Sequence, residues 1–285
     1  MNLLIALIPA IGWGVQPLIL KKINGKPKNE ILGTGMGALL IGIIVYLFLS
    51  PQSLDRTTFL LSTFSGMFWV IGQVGQYNAY NLLGVSNTMP ISTGLQLIGT
   101  SLIGVIAFGE WSRSPYSKII GAGAIILLII GAALTTISDS KDKKSGFFKG
   151  IILLSLTSVG YWVYSALPKI VNADGVSIFF PQMLGVFLGA VIYVIIFRGQ
   201  DAFKDKKSWK AGIVGFTFSI SALAYIFSAQ ENGVATAYII TQLNVVIATL
   251  GGIFILKEKK SSKELGFTLL GLLLIIVGSI ITIFL

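Results

Sequence analysis

The stretch Leu265–Leu285 reads LGFTLLGLLLIIVGSIITIFL and carries no charge. An α-helix rises 1.5 Å per residue and needs about 20 residues to cross the hydrocarbon core of a bilayer. Leu265–Leu285 is therefore long enough to span a membrane. Nine further runs of similar length and character precede it. They are Asn2–Leu20, Ile31–Ser50, Thr58–Asn81, Val85–Phe108, Lys118–Ile137, Gly150–Pro168, Ile178–Phe197, Ala211–Ala229 and Val234–Leu256. Short charged gaps separate them. The ten runs leave no room for a soluble domain, so function has to reside between the helices. The first run lacks a basic start and a small-residue cleavage site and contains Trp13 and Pro17, so it reads as a span rather than a cleaved leader.

Composition agrees: 54% of residues are hydrophobic and 11% charged, against about 25% charged in soluble domains. There is no cysteine and no histidine. That removes disulfides, thiolate chemistry, Cys-based metal sites and the commonest proton shuttle and metal ligand. The sequence asks for no cofactor. It has no Gly-rich nucleotide loop followed by Lys-Ser or Lys-Thr, which argues against an ATP-driven pump. All 11 acidic residues fall in gaps or at span ends, so no carboxylate pair for enzymatic acid–base work is visible in a membrane core. The net charge of +10 does not indicate nucleic acid, because the basic residues are dispersed among loops.

The basic residues instead set an orientation. Of the 21 Lys and Arg residues, 17 lie in alternate gaps, between runs 1–2, 5–6, 7–8 and 9–10. Only Arg56, Arg113, Lys118 and Lys169 lie on the other side. Positive loops stay in the cytoplasm. The expectation is a multi-pass cell-membrane protein with both termini extracellular.

The chain also repeats itself. Thr100–Glu110, TSLIGVIAFGE, returns as Ala248–Glu258, ATLGGIFILKE. Ile11–Val15, IGWGV, has a counterpart in Val159–Val163, VGYWV. Five spans per half is an odd number, so the second half enters from the opposite face. The predicted fold is thus an all-α integral membrane protein of ten transmembrane helices, arranged as two five-helix inverted repeats. Residues 1–137 form the first repeat, 138–149 a cytoplasmic linker, and 150–285 the second repeat. Secondary transporters use this plan, with the substrate at mid-membrane between the halves.

The span interiors contain neutral polar groups and aromatics. Trp69, Gln73, Gln76 and Tyr80 recur at steps of four, three and four, which places them on one helical face. Run 6 offers Tyr161, Trp162, Tyr164 and Ser165. The candidate substrate-binding residues are Trp13, Gln16, Trp69, Gln73, Gln76, Asn87, Gln96, Trp162, Gln182, Tyr225, Gln242 and Asn244. An amide both donates and accepts, which suits sugar hydroxyls, and an aromatic ring suits the C–H face of a sugar. The competing role is helix–helix glue. Gly33-x-x-x-Gly37 and Gly185-x-x-x-Gly189 permit close helix contact and leave a homodimer open. Pro90 and Pro181 are candidate bends. Runs 5 and 10 lack interior amides and read as lipid-facing or dimer scaffold.

Across its whole length the sequence resembles the glucose/ribose porter family of bacterial sugar uptake proteins, in the drug/metabolite transporter superfamily. The resemblance rests on Pro9–Gly14 (PAIGWG), Gly84–Leu102 (GVSNTMPISTGLQLIGTSL), Gly109-Glu110-Trp111, Gly233–Thr236 and Thr241-Gln242. Gly84–Leu102 is similar to glucose-type members. Gly160–Ile170 (GYWVYSALPKI) and Phe179–Gln182 (FFPQ) are similar to ribose-type members. The resemblance implies import of a neutral monosaccharide, glucose or ribose, by proton symport. Glu110, Glu231 and Glu258 are the candidate coupling residues, since no carboxylate lies mid-span. The alternatives are an exporter of amino acids or amphipathic metabolites, an uncoupled sugar facilitator, and a non-transporting receptor.

Overall fold

The computed structural model describes residues 3–49, 51–111, 114–137, 144–171 and 173–285. Met1, Arg113 and residues 138–143 of the expected linker lie outside the described residues. Among the described residues, ten helices are long and apolar enough to cross a membrane, the ninth formed by α9 and α10 together. In hydrocarbon every backbone N–H and C=O needs an internal partner, which a helix supplies within itself. The elements are α1 (Leu3–Ile23), α2 (Pro27–Phe48), α3 (Arg56–Leu83), α4 (Val85–Ala107), α5 (Pro115–Thr135) and α6 (Lys144–Ile170), followed by α7 (Gly175–Ile196), α8 (Lys206–Asn232), α9 (Val234–Thr241), α10 (Leu243–Phe254) and α11 (Ser262–Ile283). A 3₁₀ turn, Gln200–Phe203, joins α7 to α8.

Helix starts follow local chemistry. Asp55 accepts the N–H groups of Thr57 and Thr58, and Asp174 those of Val176 and Ser177. Asp205 caps α8, Ser114 caps α5, and Ser261 forms a capping box with Glu264 on α11. Hydrogen bonds from the Thr58 and Ser177 hydroxyls hold the Asp55 and Asp174 carboxyls below the usual carboxylate range. Their capping is therefore complete at neutral pH and is lost only as pH falls through that depressed range.

The ninth run is one span, as expected, with a local tightening: Gln242 keeps helical backbone (φ −62°, ψ −17°), and i→i+3 hydrogen bonds there mark the boundary between α9 and α10. No proline or glycine causes it. By contrast α4 and α7 run unbroken through Pro90 and Pro181. Two acids among the described residues lie buried, each in a first helical turn: Glu30 of α2, beneath Gly25, and Glu264 of α11.

The centre of the bundle is built on α2, α3, α7 and α8, with α2 against α7 and α8, and α3 against α7 and α6. α1 packs on α8 and α10, α6 on α3 and α4, α4 on α10, and α5 on α11. Glycines set how close these pairs come. A methyl on Gly33 or Gly37 would strike the backbone of α8 at Ser208 and Gly212, and one on Gly185 would strike the carbonyl of Thr63 on α3. Both GxxxG stretches are thus spent inside the chain, on α8 and α3. α5 and α11 also meet at glycine, Gly131 against Gly271, and turn Ile119, Ile126, Leu269 and Leu273 outward.

The lysine-bearing connections gather at one end. Lys21 donates to Asn81 at 2.7 Å, Lys207 to the Asn24 carbonyl at 2.6 Å, and Lys260 to Asn87 at 2.8 Å. Lys28 pairs with Asp201. Leu285 lies at the other end, near Glu110 and Lys169.

Gly185→Leu places a branched side chain against helix backbone and is expected to prevent a monodisperse fold, since overpacking costs about 1–3 kcal/mol or more. Gly123→Leu, where a methyl meets nothing within 4 Å, is expected to be tolerated. Size-exclusion profiles in detergent check the pair; equal behaviour of the two variants contradicts the packing role.

Candidate functional site

A cavity of about 950 Å³ lies between α1, α3, α4, α6, α7, α8, the α9–α10 pair and the end of α11. Its size matches small-molecule sites, which run from about 300 to 1,000 Å³. α2 and α5 contribute no lining residue. The cavity extends to the end of the molecule marked by Glu110, Trp111, Lys169 and Val234, and no residue of the lysine-bearing turns lines it.

The polar stripe of α3 turns inward because amides facing lipid would go unsatisfied. Trp69, Gln73, Gln76 and Tyr80 all reach the cavity wall. Gln73 Nε2 donates to Gln76 Oε1 at 3.0 Å, and Gln76 Nε2 to Ser92 Oγ at 3.0 Å. Gln96 Nε2 also donates to Ser92 Oγ, at 3.2 Å. The Tyr161 hydroxyl donates to Gln73 Oε1 at 2.8 Å. These groups satisfy one another and fix a rigid polar wall made of α3, α4 and α6. Gln182 joins from α7, donating to Ser65 Oγ at 3.2 Å.

Two amides are different. Gln16 on α1 and Gln242 at the α9–α10 boundary are 8% and 5% exposed and line the cavity. Among the described residues, Gln16 Nε2 and Gln242 Oε1 are buried without a hydrogen-bond partner. One is a donor and the other an acceptor. An unmade buried bond costs about 1–3 kcal/mol, so both atoms are primed for a ligand that accepts and donates. Aromatic rings flank them. Trp13 lies 6.2 Å from Tyr225, and Trp69 stacks on Phe218 at 4.4 Å. Trp13 is pinned by its Nε1–H to the Phe218 carbonyl at 3.3 Å.

The expected residues Trp13, Gln16, Trp69, Gln73, Gln76, Gln96, Gln182, Tyr225, Gln242 and Asn244 therefore share one cavity. Asn87 and Trp162 are not among its lining. Asn87 sits in a separate polar cleft of about 300 Å³ with Gly84, Ser86 and Glu258; its amide accepts from Lys260 and donates to the Leu83 carbonyl. Trp162 points the other way from Tyr161, lies over Gly99 and donates to the Leu95 carbonyl at 2.9 Å, so it bolts α6 to α4. Adjacent helix positions are about 100° apart, so only one of the two aromatics can face the site. Both rings rest on a glycine, Tyr161 on Gly72 of α3 and Trp162 on Gly99 of α4, so the sequence alone does not tell them apart.

Of the three carboxylates expected to couple transport, only Glu110 lines the cavity, where it accepts from Lys169 Nζ at 2.5 Å. Glu231 is exposed at the end of α8. Glu258 binds backbone at the opposite end. Sequence reasoning did not single out Met183 and Phe218, which also line the wall. Nothing in local pattern separates such residues from ordinary core apolar groups.

With this geometry in view, the chain can be compared with known proteins. A family model described as "Sugar transport protein" matches residues 4–285. A "Putative sugar uptake protein" of Lactobacillus helveticus is 50% identical over 99% of this chain and 100% of its own. One of Lactiplantibacillus plantarum is 47% identical over 99% of each. A "Putative ribose uptake protein RbsU" of Latilactobacillus sakei is 45% identical over 99% of this chain and 98% of its own. A solved crystal structure aligns over 98% of this chain and 96% of its own with a TM-score of 0.56 at 14% identity, which speaks to fold alone. The chain belongs to the sugar transport protein family.

Proposed function

We propose that this protein is a secondary carrier that imports a neutral monosaccharide, a pentose or a hexose, through the central cavity. The observation that carries this reading is the pair of unpartnered buried atoms, Gln16 Nε2 and Gln242 Oε1, in an amide- and aromatic-lined cavity. A sugar hydroxyl can accept from one and donate to the other. Trp13 and Tyr225 offer ring faces to the sugar's C–H surface. Gln73, Gln76, Tyr161 and Ser92 satisfy one another and hold that wall in position. Family membership and the relatives' names point to the same substrate class.

Two five-span halves of opposite orientation fit the packing. Advancing each span by five turns the α1–α8 pair into α6–α3, α2–α8 into α7–α3, and α1–α10 into α6–α4, all of which occur. The lysine-bearing end belongs in the cytoplasm by the positive-inside rule, so the cavity opens outward and both termini lie outside. Proton coupling, where present, runs through Glu110, the one candidate carboxylate on the cavity wall. An uncoupled facilitator is the second reading, favoured by the pairing of Glu110 with Lys169.

Counterflow of labelled glucose and ribose in proteoliposomes tests the function directly; exchange of neither sugar rejects it. Gln16→Ala and Gln242→Ala should each weaken sugar binding by about 1–3 kcal/mol with folding intact, and wild-type affinity in either variant removes that residue from the site. A reporter active only in the cytoplasm, fused after Leu285, should stay silent; strong activity reverses the orientation. In a symporter, Glu110→Gln should abolish accumulation driven by a pH gradient and spare exchange. Wild-type protein that exchanges sugar but never accumulates it is a facilitator.

A further inference from the structure

The two ends of the molecule carry the same latch in two different states. Glu258 follows the ninth span and Glu110 the fourth, and their backbones match: the Glu258 N–H bonds the Gly252 carbonyl at 3.1 Å, and the Glu110 N–H bonds the Gly104 carbonyl at 3.0 Å. The preceding residues, Lys257 and Gly109, both adopt left-handed backbone, at φ 57° and 66°. In each case the carboxylate folds over the glycine of its own helix, Gly252 or Gly104.

What the carboxylates bind differs. Glu258 Oε1 accepts the Val85 N–H at 2.6 Å, and Oε2 accepts the Ser86 N–H at 2.8 Å. It thereby caps α4, whose preceding Gly84 (φ 78°) supplies no side-chain cap of its own. A methyl on Gly84 would stand 2.9 Å from Glu258 Oε1, so the carboxylate fills the space glycine leaves. Carboxylate bonds to helix N-terminal amides are charge-assisted and align with the helix dipole. This end of the molecule is shut. At the open end, α9 likewise begins after a glycine, Gly233 at φ 84°, with no side-chain cap. A methyl there would meet nothing within 4 Å. Glu110 is turned away from it to Lys169, with both side chains nearly half exposed.

We propose that Glu258 and Glu110 are the alternating latches of two gates. When the open end closes, Glu110 leaves Lys169 and accepts the backbone N–H groups of Val234 and Ala235, as Glu258 now accepts those of Val85 and Ser86. Glu258 then releases α4, and the cavity opens towards the lysine-bearing end. Each latch joins the two halves, since the carboxylate after the ninth span holds the fourth, and the carboxylate after the fourth span holds the ninth. Lys169 acts as the parking place that keeps Glu110 disengaged. Gln at position 110 keeps one carbonyl oxygen for one of the two amides, whereas Ala keeps none, so loss of latching belongs to Glu110→Ala.

This inference rests on the carrier reading, and its test is independent of sugar flux. The chain has no cysteine, so Thr93→Cys on the cavity wall serves as a single reporter in the full-length protein. It is labelled in oriented vesicles, without sugar, by a membrane-impermeant thiol reagent added on the Glu110 side. Glu110→Ala and Lys169→Ala break the same ion pair, yet they should act in opposite directions. Lys169→Ala frees Glu110 to latch and should slow labelling. Glu110→Ala removes the latch and should leave labelling as fast as in the unsubstituted reporter protein, or faster. Glu258→Ala should shift the equilibrium about tenfold towards the other opening, with labelling falling on the Glu110 side and appearing on the opposite side. Glu258→Gln, with one acceptor left, should give an intermediate shift and covers the case in which the Ala variant does not fold. Labelling that moves in the same direction in Glu110→Ala and Lys169→Ala overturns the proposal. So does unchanged labelling from both sides in the Glu258 variants. If the sugar reading fails, counterflow is absent from wild type while these labelling shifts remain.

Discussion

Backbone-to-backbone contact through glycine is the constraint on which the rest of this bundle depends. Helices in lipid gain little from burying apolar surface against each other, because the hydrocarbon outside is as apolar as leucine. They associate by close packing instead. Gly33 and Gly37 bring α2 onto α8, and Gly66 and Gly185 bring α3 onto α7. These contacts draw α2, α3, α7 and α8 into a dense centre. The dense centre gives a fixed frame to α1, α4, α6 and the α9–α10 pair, which supply much of the remaining cavity wall.

Within that frame the polar residues divide by whether their bonds are already made. The amides of α3, the hydroxyl of Ser92 and the phenol of Tyr161 form a closed set. Their energetic role is to avoid unsatisfied groups in a low-dielectric interior, and their functional role is to hold a shape. Gln16 and Gln242 are left outside the set, each with one buried atom unpartnered. A folded chain tolerates that cost where a ligand repays it. The arrangement therefore separates a mutually bonded wall from two unpartnered amide atoms. A list of polar residues along the helices does not reveal that division.

Charge divides the molecule along its other axis. The lysines that set the expected orientation collect at the end where Glu258 holds the start of α4. The far end is poorer in charge and carries the open mouth, with Glu110 and Lys169 at its rim. The same local motif thus sits in a closed and an open environment within one structure.

Much of the architecture was legible in the sequence because its causes are local. Span length follows from the apolar runs. The shared face of Trp69, Gln73, Gln76 and Tyr80 follows from a period of 3.6. The likeness of Thr100–Glu110 to Ala248–Glu258 was visible as text. What only the tertiary structure decided depends on contacts between distant residues. Pattern along one helix cannot say whether Tyr161 or Trp162 faces the cavity, since each ring meets a glycine on a different neighbouring helix. It cannot put Asn87 beside Lys260 in a separate cleft. It cannot assign Glu258 to the amides of Val85 and Ser86, more than 170 residues away in sequence. The sequence by itself determined where the chain is apolar and how many spans it makes. Only folding decided which polar atoms found partners, because that depends on long-range packing which no local period encodes.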